Sequence, residues 1–422
     1  MTSILPARSA PGRPGAVAGS VARASLRAAL GRIHHGRLTI HERGRRSEFG
    51  REGDELHGRI EIHDRAAWPS VVRGGSVGLG LSYVDGSWDS DDLVSVIRLA
   101  ARNIAVADRV PNFAHRLASP LLDLVTRRAG DRDVDRRNIR AHYDLGNEFF
   151  GLFLDPTMTY SAGVFESPDA TLADASRAKL DRICRKLRLE PGDRVVEIGT
   201  GWGSFALHAA RHYGCLVTTT TISDRQHDYA SKAVVDAGLA DRITVLNDDY
   251  RDLTGDYDAL VSIEMIEAVN WDQYDTFFGT CANLLRRDGR MALQAIVIAD
   301  QRFERSKRRN DFVKSVIFPG GCLPSIEALT RSATRSSDMR IVDLEDIGFH
   351  YAETLRRWRV EFDAHENDVR ALGLDAAFVR MWRFYLAYCE ASFLERQISD
   401  VQVVLTRPGW RPARTGLVRD SP

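Results

Sequence analysis

Residues 194–213 read RVVEIGTGWGSFALHAARHY, and the order of features in this stretch decides the fold. Arg194 to Ile198 have the length and branched apolar composition of a buried strand. Gly199, Gly201 and Gly203 follow directly, and Ser204 opens a helical run. Glycines at the carboxyl end of a first strand let the backbone turn tightly and approach a ligand, while the next helix offers unpaired amides. The pattern is E-x-G-x-G-x-G, beginning at Glu197. No Lys-Ser or Lys-Thr follows, as a Walker loop requires, and the dinucleotide form places its third glycine one residue later. Nucleotide phosphates are therefore not the expected ligand.

Outward from this loop, strand and helix text alternate. TLADASRAKLDRICRKL places Leu172, Leu180, Ile183 and Leu187 on one helical face before Pro191-Gly192-Asp193 stops it. Strands are predicted in RVVEI, LVTTTTI, ITVLN, YDALVSI and RMALQAIVI. Such alternation predicts an α/β fold with a mostly parallel sheet covered on both faces. Beyond the second strand Thr221, Ser223 and Gln226 supply hydroxyls and an amide. Beyond the third, Asp248 and Asp249 supply acceptors for an adenine or ribose, at the sheet edge where a ligand would lie.

A chain of 422 residues is long enough for two domains. Residues 1–20 are rich in Pro, Gly, Ala and Ser without a period, and are predicted to be a disordered tail. RLTIHERGRRSEFG and LHGRIEIHD read as short strands joined by turns, with helical text from about Asp91. The charged stretch 127–138, RRAGDRDVDRRN, marks the boundary between a small α+β domain over 21–130 and a larger one over 131–422. Residues 1–140 carry 23 arginines, no lysine and 16 acidic residues, a net +7, against a formal net charge of zero for the whole chain. That asymmetry suits anionic lipid, and the neutral total opposes nucleic acid as a partner. Cys184, Cys215, Cys281, Cys322 and Cys389 form no CxxC pair, so neither a metal nor a disulfide framework is expected and a reducing cytoplasm fits. No run approaches the roughly 20 apolar residues of a membrane span, and membrane contact is expected to be peripheral, on the cytoplasmic face.

The E-x-G-x-G-x-G loop resembles the first motif of class I, Rossmann-like methyltransferases, where the glycines leave room for S-adenosyl-L-methionine. Over nearly the whole chain after the tail, the sequence is similar to cyclopropane-fatty-acyl-phospholipid synthases and their mycolic-acid and methyl-branched-fatty-acid relatives. Gly75 to Leu93, GSVGLGLSYVDGSWDSDDL, matches a G-x-x-G-x-G-x-x-Y-x-x-G-x-W motif of that family. Ile139 to Asn147, Met158-Thr159-Tyr160-Ser161, SIEMIEAV with Glu267, IFPGG at 317–321, HYAETLRRW with Tyr351, and RMWRFYLAYCEASF with Cys389 match further segments in order.

The resemblance implies methyl transfer from S-adenosyl-L-methionine to the cis double bond of an unsaturated phospholipid acyl chain. An isolated alkene is a poor nucleophile, so holding it against the methyl donor in a dry pocket is the main task. The carbocation that follows calls for aromatic faces, for which Tyr143, Tyr160 and Tyr351 are candidates, the first two at the acyl pocket. Tyr160 and Ser161 also fall beside the cofactor. In the family a bicarbonate ion removes the proton, held by a Glu, a His, a Tyr and the residue after the Tyr-Ser pair. Glu267 and Tyr351 match, but Gln294 stands where most relatives have His, and Ala162 where many have Cys. Gln donates a hydrogen bond without carrying charge. Relatives of the tuberculostearic type share LQAI, IFPGG and HYAETLR and form a methylene branch that a separate reductase saturates. Ring and branch both stay open as products. Cys389 is a candidate thiol whose alternative role is structural burial. The basic stretch Arg302 to Arg309 suits anionic headgroups, and a homodimer is compatible with the resemblance. Two other classes are a small-molecule N- or O-methyltransferase and a non-catalytic lipid-binding relative; the acyl-pocket motifs oppose the first, and the retained glycine loop and Glu267 oppose the second.

Overall fold

The computed structural model describes residues 16–104 and 145–411. Residues 1–15, the charged stretch 127–138 and Tyr143 lie outside the described residues. The chain divides into two compact units that are discontinuous in sequence. One combines the chain up to Leu154 with Glu304–Gly321 and Gly348–Ser399; the other combines Asp155–Phe303 and Cys322–Ile347 with the chain from Asp400. The unit holding the front of the chain is thus larger than the 21–130 segment read from the sequence, because it also takes in helices from the last third of the chain.

In that unit α1 (Ala16–Leu30) precedes a hairpin of β1 (Arg37–Glu42) and β2 (Arg45–Gly50). The helix begins inside the stretch expected to be a tail. Alanine favours helix strongly, and Leu26 and Leu30 pack on a cluster of Ile33, Leu38, Ile40 and Leu56. The tight turn uses Arg43 and Gly44, both at positive φ. β3 (His57–Ile62) runs parallel to β1, and the two-residue β4 (Trp88–Asp89) closes the order β2-β1-β3-β4. α2 (Ala67–Val84) carries the Gly75-to-Trp88 motif and kinks at Gly75. α3 (Leu93–Arg102) is capped by Asp92, whose carboxylate accepts the Ser95 N–H at 3.0 Å.

The other unit begins with α4 (Leu172–Leu187), started by a reciprocal Thr171–Asp174 capping box. β5 (Arg194–Ile198), α5 (Ser204–Tyr213), β6 (Leu216–Thr220), α6 (Asp224–Asp236), β7 (Ile243–Leu246), β8 (Tyr257–Ile263), α7 (Tyr274–Leu284), β9 (Leu285–Ile298), α8 (Ile326–Ser336), β10 (Arg340–Asp346) and β11 (Ile398–Thr406) follow. The seven strands lie in the order β10-β11-β9-β8-β5-β6-β7. β5 pairs in parallel with both β6 and β8, and β8 with β9, while β10 and β11 pair antiparallel. This is the α/β sheet expected, with two strands, β10 and β11, that the sequence did not announce. The chain leaves β5 first toward β6 and β7, then returns to the other side for β8 and β9, so the loop after β5 sits at the switch point of the sheet.

Strand alternation sorts the two faces. Val196, Ile198, Leu260, Met291, Leu293, Val401, Val403 and Leu405 pack with α7 and α8 in one apolar cluster. Val195, Val217, Ala259, Val261 and Ala292 pack with Leu180, Ile183 and Leu187 of α4 in the second. By the same parity Glu197, Gln294, Asp400 and Gln402 point toward the α4 face.

Two helices return to the first unit, α9 (Gly348–Ala364) and α10 (Ala376–Leu394). Glu395, just past α10, accepts from Arg98 at 2.7 Å and Arg102 at 2.6 Å on α3. Arg380 on α10 donates to the Tyr83 and Trp88 carbonyls and lies over the Tyr83 ring at 4.1 Å. A Cβ on Gly80 of α2 would fall 2.2 Å from the Phe312 ring and 2.8 Å from Phe384, so this glycine is required by helix-to-aromatic approach.

Candidate active site

The glycine loop is held by its neighbours before any ligand is considered. Gly199 and Thr200 donate their N–H groups to the Thr220 carbonyl, each at 3.0 Å. Gly199 has φ +102 and would bring a Cβ to 3.2 Å from Met265; Gly201 has φ +53 and faces open space, with no heavy atom within 4 Å of an added Cβ. A side chain at Gly201 would therefore project into open space, while one at Gly199 would press on Met265. Glu197, level with Thr219 in the β5–β6 register, is 3% exposed and accepts from the Thr219 hydroxyl at 2.7 Å. Burial pushes its carboxyl up to about 8, with Thr219 and Lys179 pulling the other way. Ser223 caps α6. Thr221 donates to Gln226 Oε1 at 2.8 Å, which fixes the amide of Gln226 in the buried edge of the site. Asp248 is exposed at the end of this edge, whereas the Asp249 carboxylate grips the Arg251 guanidinium at 2.6 and 2.8 Å.

The second part of the site lies at the carboxyl ends of β8 and β9. The register sets Ile263 opposite Gln294, and the Glu264 N–H donates to the Gln294 carbonyl at 2.9 Å. Glu264 occupies a left-handed conformation, φ 48, a strained choice for a non-glycine residue that is common at functional sites. Its Oε1 accepts from the Ala162 N–H at 2.8 Å and from Gln294 Nε2 at 2.8 Å. Gln294 Nε2 also donates to Asp400 Oδ2 at 2.9 Å, and Gln402 Nε2 donates to Gln294 Oε1 at 3.1 Å. One amide thus ties two carboxyl groups together, and a second amide fixes which way it faces. Asp400 is held well above the usual carboxylate range by burial and by the charges of Glu264 and Glu267. Glu267 accepts the Ile296 N–H through Oε1, while its Oε2 is buried without a hydrogen-bond partner among the described residues. Burial, then Glu264, raises its carboxyl to about 8.

Of the candidates read from the sequence, the structure brings Tyr160, Ser161, Glu197, the three loop glycines, Thr221, Ser223, Gln226, Asp248, Asp249, Glu267 and Gln294 into one unit. Tyr351 and Cys389 belong to the other. Tyr351 on α9 packs its ring on Phe393 at 4.5 Å and Trp358 at 6.1 Å. Cys389 is half-buried on α10, and burial drives its thiol well above the ordinary thiol range, so it stays protonated. Three residues were missed. Glu264 stands three residues before Glu267 in SIEMIEAV, Lys179 interrupts the apolar face of α4, and Asp400 sits in a strand that had not been recognised.

A switch-point glycine loop, an acid at the end of the first strand and polar groups along the next two strand ends define a class I methyltransferase site. The chain is an S-adenosylmethionine-dependent methyltransferase. A model of the family described as mycolic acid cyclopropane synthetase matches residues 131–403. Tuberculostearic acid methyltransferase UfaA1 of Mycobacterium tuberculosis is 39% identical over 348 residues, 80% of this chain and 81% of the relative. The cyclopropane-fatty-acyl-phospholipid synthase of Escherichia coli K12 is 34% identical over 354 residues, 82% of this chain and 87% of the relative. Mycolic acid cyclopropane synthase CmaA1, solved with SAH and CTAB, superposes with a TM-score of 0.60 at 31% identity, over 64% of this chain and 98% of that one. The chain belongs to the mycolic acid cyclopropane synthetase family and acts in fatty acid modification.

Proposed function

We propose that this enzyme methylates the cis double bond of an unsaturated phospholipid acyl chain and leaves a methylene branch, with Glu264 as its own proton acceptor. The observation that carries the reading is the Glu264 carboxylate, held at 2.8 Å by both the Ala162 N–H and Gln294. Those two positions are where the family resemblance puts holders of a free bicarbonate. Here a carboxylate of the chain itself fills that role, and no dissolved anion is needed.

S-adenosylmethionine, when bound, supplies an electrophilic methyl group on sulfur. The open space at Gly201, the fixed Gln226 amide and the Ser161, Thr221, Ser223 and Asp248 side chains are the features that fit it. The chain's remaining work is to exclude water and to place the acid–base group. The π electrons of the alkene form the new carbon–carbon bond to that methyl as its bond to sulfur breaks, the electron pair staying on sulfur, and leave a cation on the neighbouring carbon. A hydride shift from the methylated carbon moves the cation onto that carbon, and a C–H bond of the new methyl then gives its electrons to an exomethylene double bond; without the shift, a C–H bond of the same methyl closes the ring. In either case the proton passes to the Glu264 carboxylate. A tethered base reaches only the C–H it faces. Similarity to a tuberculostearic acid methyltransferase favours the branch, which implies a separate reductase as the partner that saturates it. The basic stretch Arg302 to Arg309 and the front unit of the chain fit a role in presenting phospholipid at the cytoplasmic face of a membrane. Among the described residues no helix is long and apolar enough to cross one.

The test is expression in a host rich in oleoyl phospholipids. Both products add one CH2 unit, so fragmentation and NMR must separate an exomethylene group from a ring. An exomethylene lipid is expected, at a rate indifferent to bicarbonate depletion. A ring overturns the branch, and bicarbonate-dependent turnover overturns the tethered base.

A further inference from the structure

Lys179 is 1% exposed, in the middle of the apolar face of α4. An ammonium in such a place is costly unless it is paired. Lys179 Nζ donates to the Ser161 hydroxyl at 2.7 Å. Ser161 directly precedes Ala162, whose N–H holds Glu264. The strand parity described above turns Glu197, Gln294 and Asp400 toward the helix face that bears Lys179. Burial lowers the proton affinity of Lys179, while Glu264, Asp400, Glu197 and Asp155, in that order, raise it.

Two buried carboxyls tied by one neutral amide repel each other when both are ionised, and low-dielectric surroundings favour adding protons to both. A fully protonated pair is no base. We propose that Lys179 is a positioning residue whose buried ammonium keeps one carboxyl of the Glu264–Asp400 pair ionised and therefore able to take the substrate proton. This rests on Glu264 being the proton acceptor. The charged groups acting on Asp400 are Glu264, Glu267 from the turn after β8, and Lys179, while Glu197 from β5 and Asp155 from the segment before α4 act on Lys179. The same side chain anchors Ser161 and, through the next residue, the Ala162 N–H that aims Glu264.

The experiment is the pH–rate profile of Lys179→Met on oleoyl phospholipid vesicles, with thermal melts and S-adenosylmethionine affinity measured beside it. Loss of the ammonium raises the proton affinity of the pair, so the acid limb should move upward by at least one pH unit, lowering the rate about tenfold at fixed pH on that limb. Raising the pH should recover the rate. In the double variant Lys179→Met with Asp400→Asn, removal of one carboxyl should bring the limb back toward the wild-type position. A loss of rate equal at every pH, or an unmoved limb in folded Lys179→Met, overturns the proposal. Should Lys179→Met fail to fold, Asp400→Asn alone must move the limb downward, and an unmoved limb there overturns it as well. Failure of the underlying reading looks different: Glu264→Gln then keeps full turnover, or the wild-type enzyme leaves acyl chains unmethylated.

Discussion

At the scale of single residues, Glu264 is the proposed proton acceptor and Gln294 the amide that holds it at 2.8 Å. Glu264→Gln keeps the shape and removes the base, so turnover should fall about 100- to 10,000-fold, the usual worth of a general base, with cofactor affinity measured by calorimetry unchanged. Gln294→His tests direction rather than strength. Gln294 donates two hydrogens from one nitrogen to Glu264 and Asp400, which an imidazole nitrogen cannot do. The pair should shift, and with it the ratio of ring to branch; each 1.4 kcal/mol or so between the two barriers changes that ratio tenfold. An unchanged ratio in an active variant makes Gln294 a bystander. Gly201→Asn, a residue that tolerates the left-handed φ of +53, is expected to abolish S-adenosylmethionine binding while retaining the fold, because its side chain projects into open space. The glycine loop was legible because its three glycines stand directly between a first strand and a helix. The Glu264–Gln294 contact was not. The family resemblance singled out Glu267, and only the β8–β9 register with the side-chain hydrogen bond shows that Glu264 is the acid that meets Gln294.

At the scale of elements, apolar periodicity located α4, the five parallel strands β5 to β9 and the front hairpin, and it failed where pattern and burial disagree. β10 exposes five of its first six residues one after another, giving no alternation to detect. The glycines of the Gly75-to-Trp88 motif invite a ligand reading, yet Gly80 has an aromatic neighbour instead. Gly80→Ala should destabilise the enzyme by about 1–3 kcal/mol in chemical denaturation through overpacking against Phe312. Phe312→Leu should relieve part of that loss, since the two substitutions share one contact.

For the molecule as a whole, buried acids set a slope of stability with pH. Glu197 and Glu267 hold their protons up to about 8, against an ordinary carboxyl value of 4.5. Through that window the folded state binds more protons than the unfolded chain, so stability falls as pH rises. Buried His208, lowered to about 4 from 6.5, acts oppositely, losing stability as pH falls through the window below 6.5. Of these three groups, only the two acids titrate between 6.5 and 8. The ligand-free enzyme should therefore lose on the order of 1–3 kcal/mol across that range, read as a lower melting temperature at pH 8 than at 6.5. A higher melting temperature at pH 8 contradicts the assignment of two neutral buried acids.

The strand order bears on how the chain is made. β11, near the end of the described chain, lies between β10 and β9 and supplies Asp400 and Gln402. During translation the sheet therefore stands with a gap, its two flanks already synthesised, until residue 406 has cleared the ribosome. A nascent chain arrested at residue 390 should be cut readily by protease and retain no S-adenosylmethionine, whereas the released chain of 422 residues should resist. The final insertion would then be the step at which the growing polypeptide becomes an enzyme, and the one most dependent on chaperones that shelter open sheet edges.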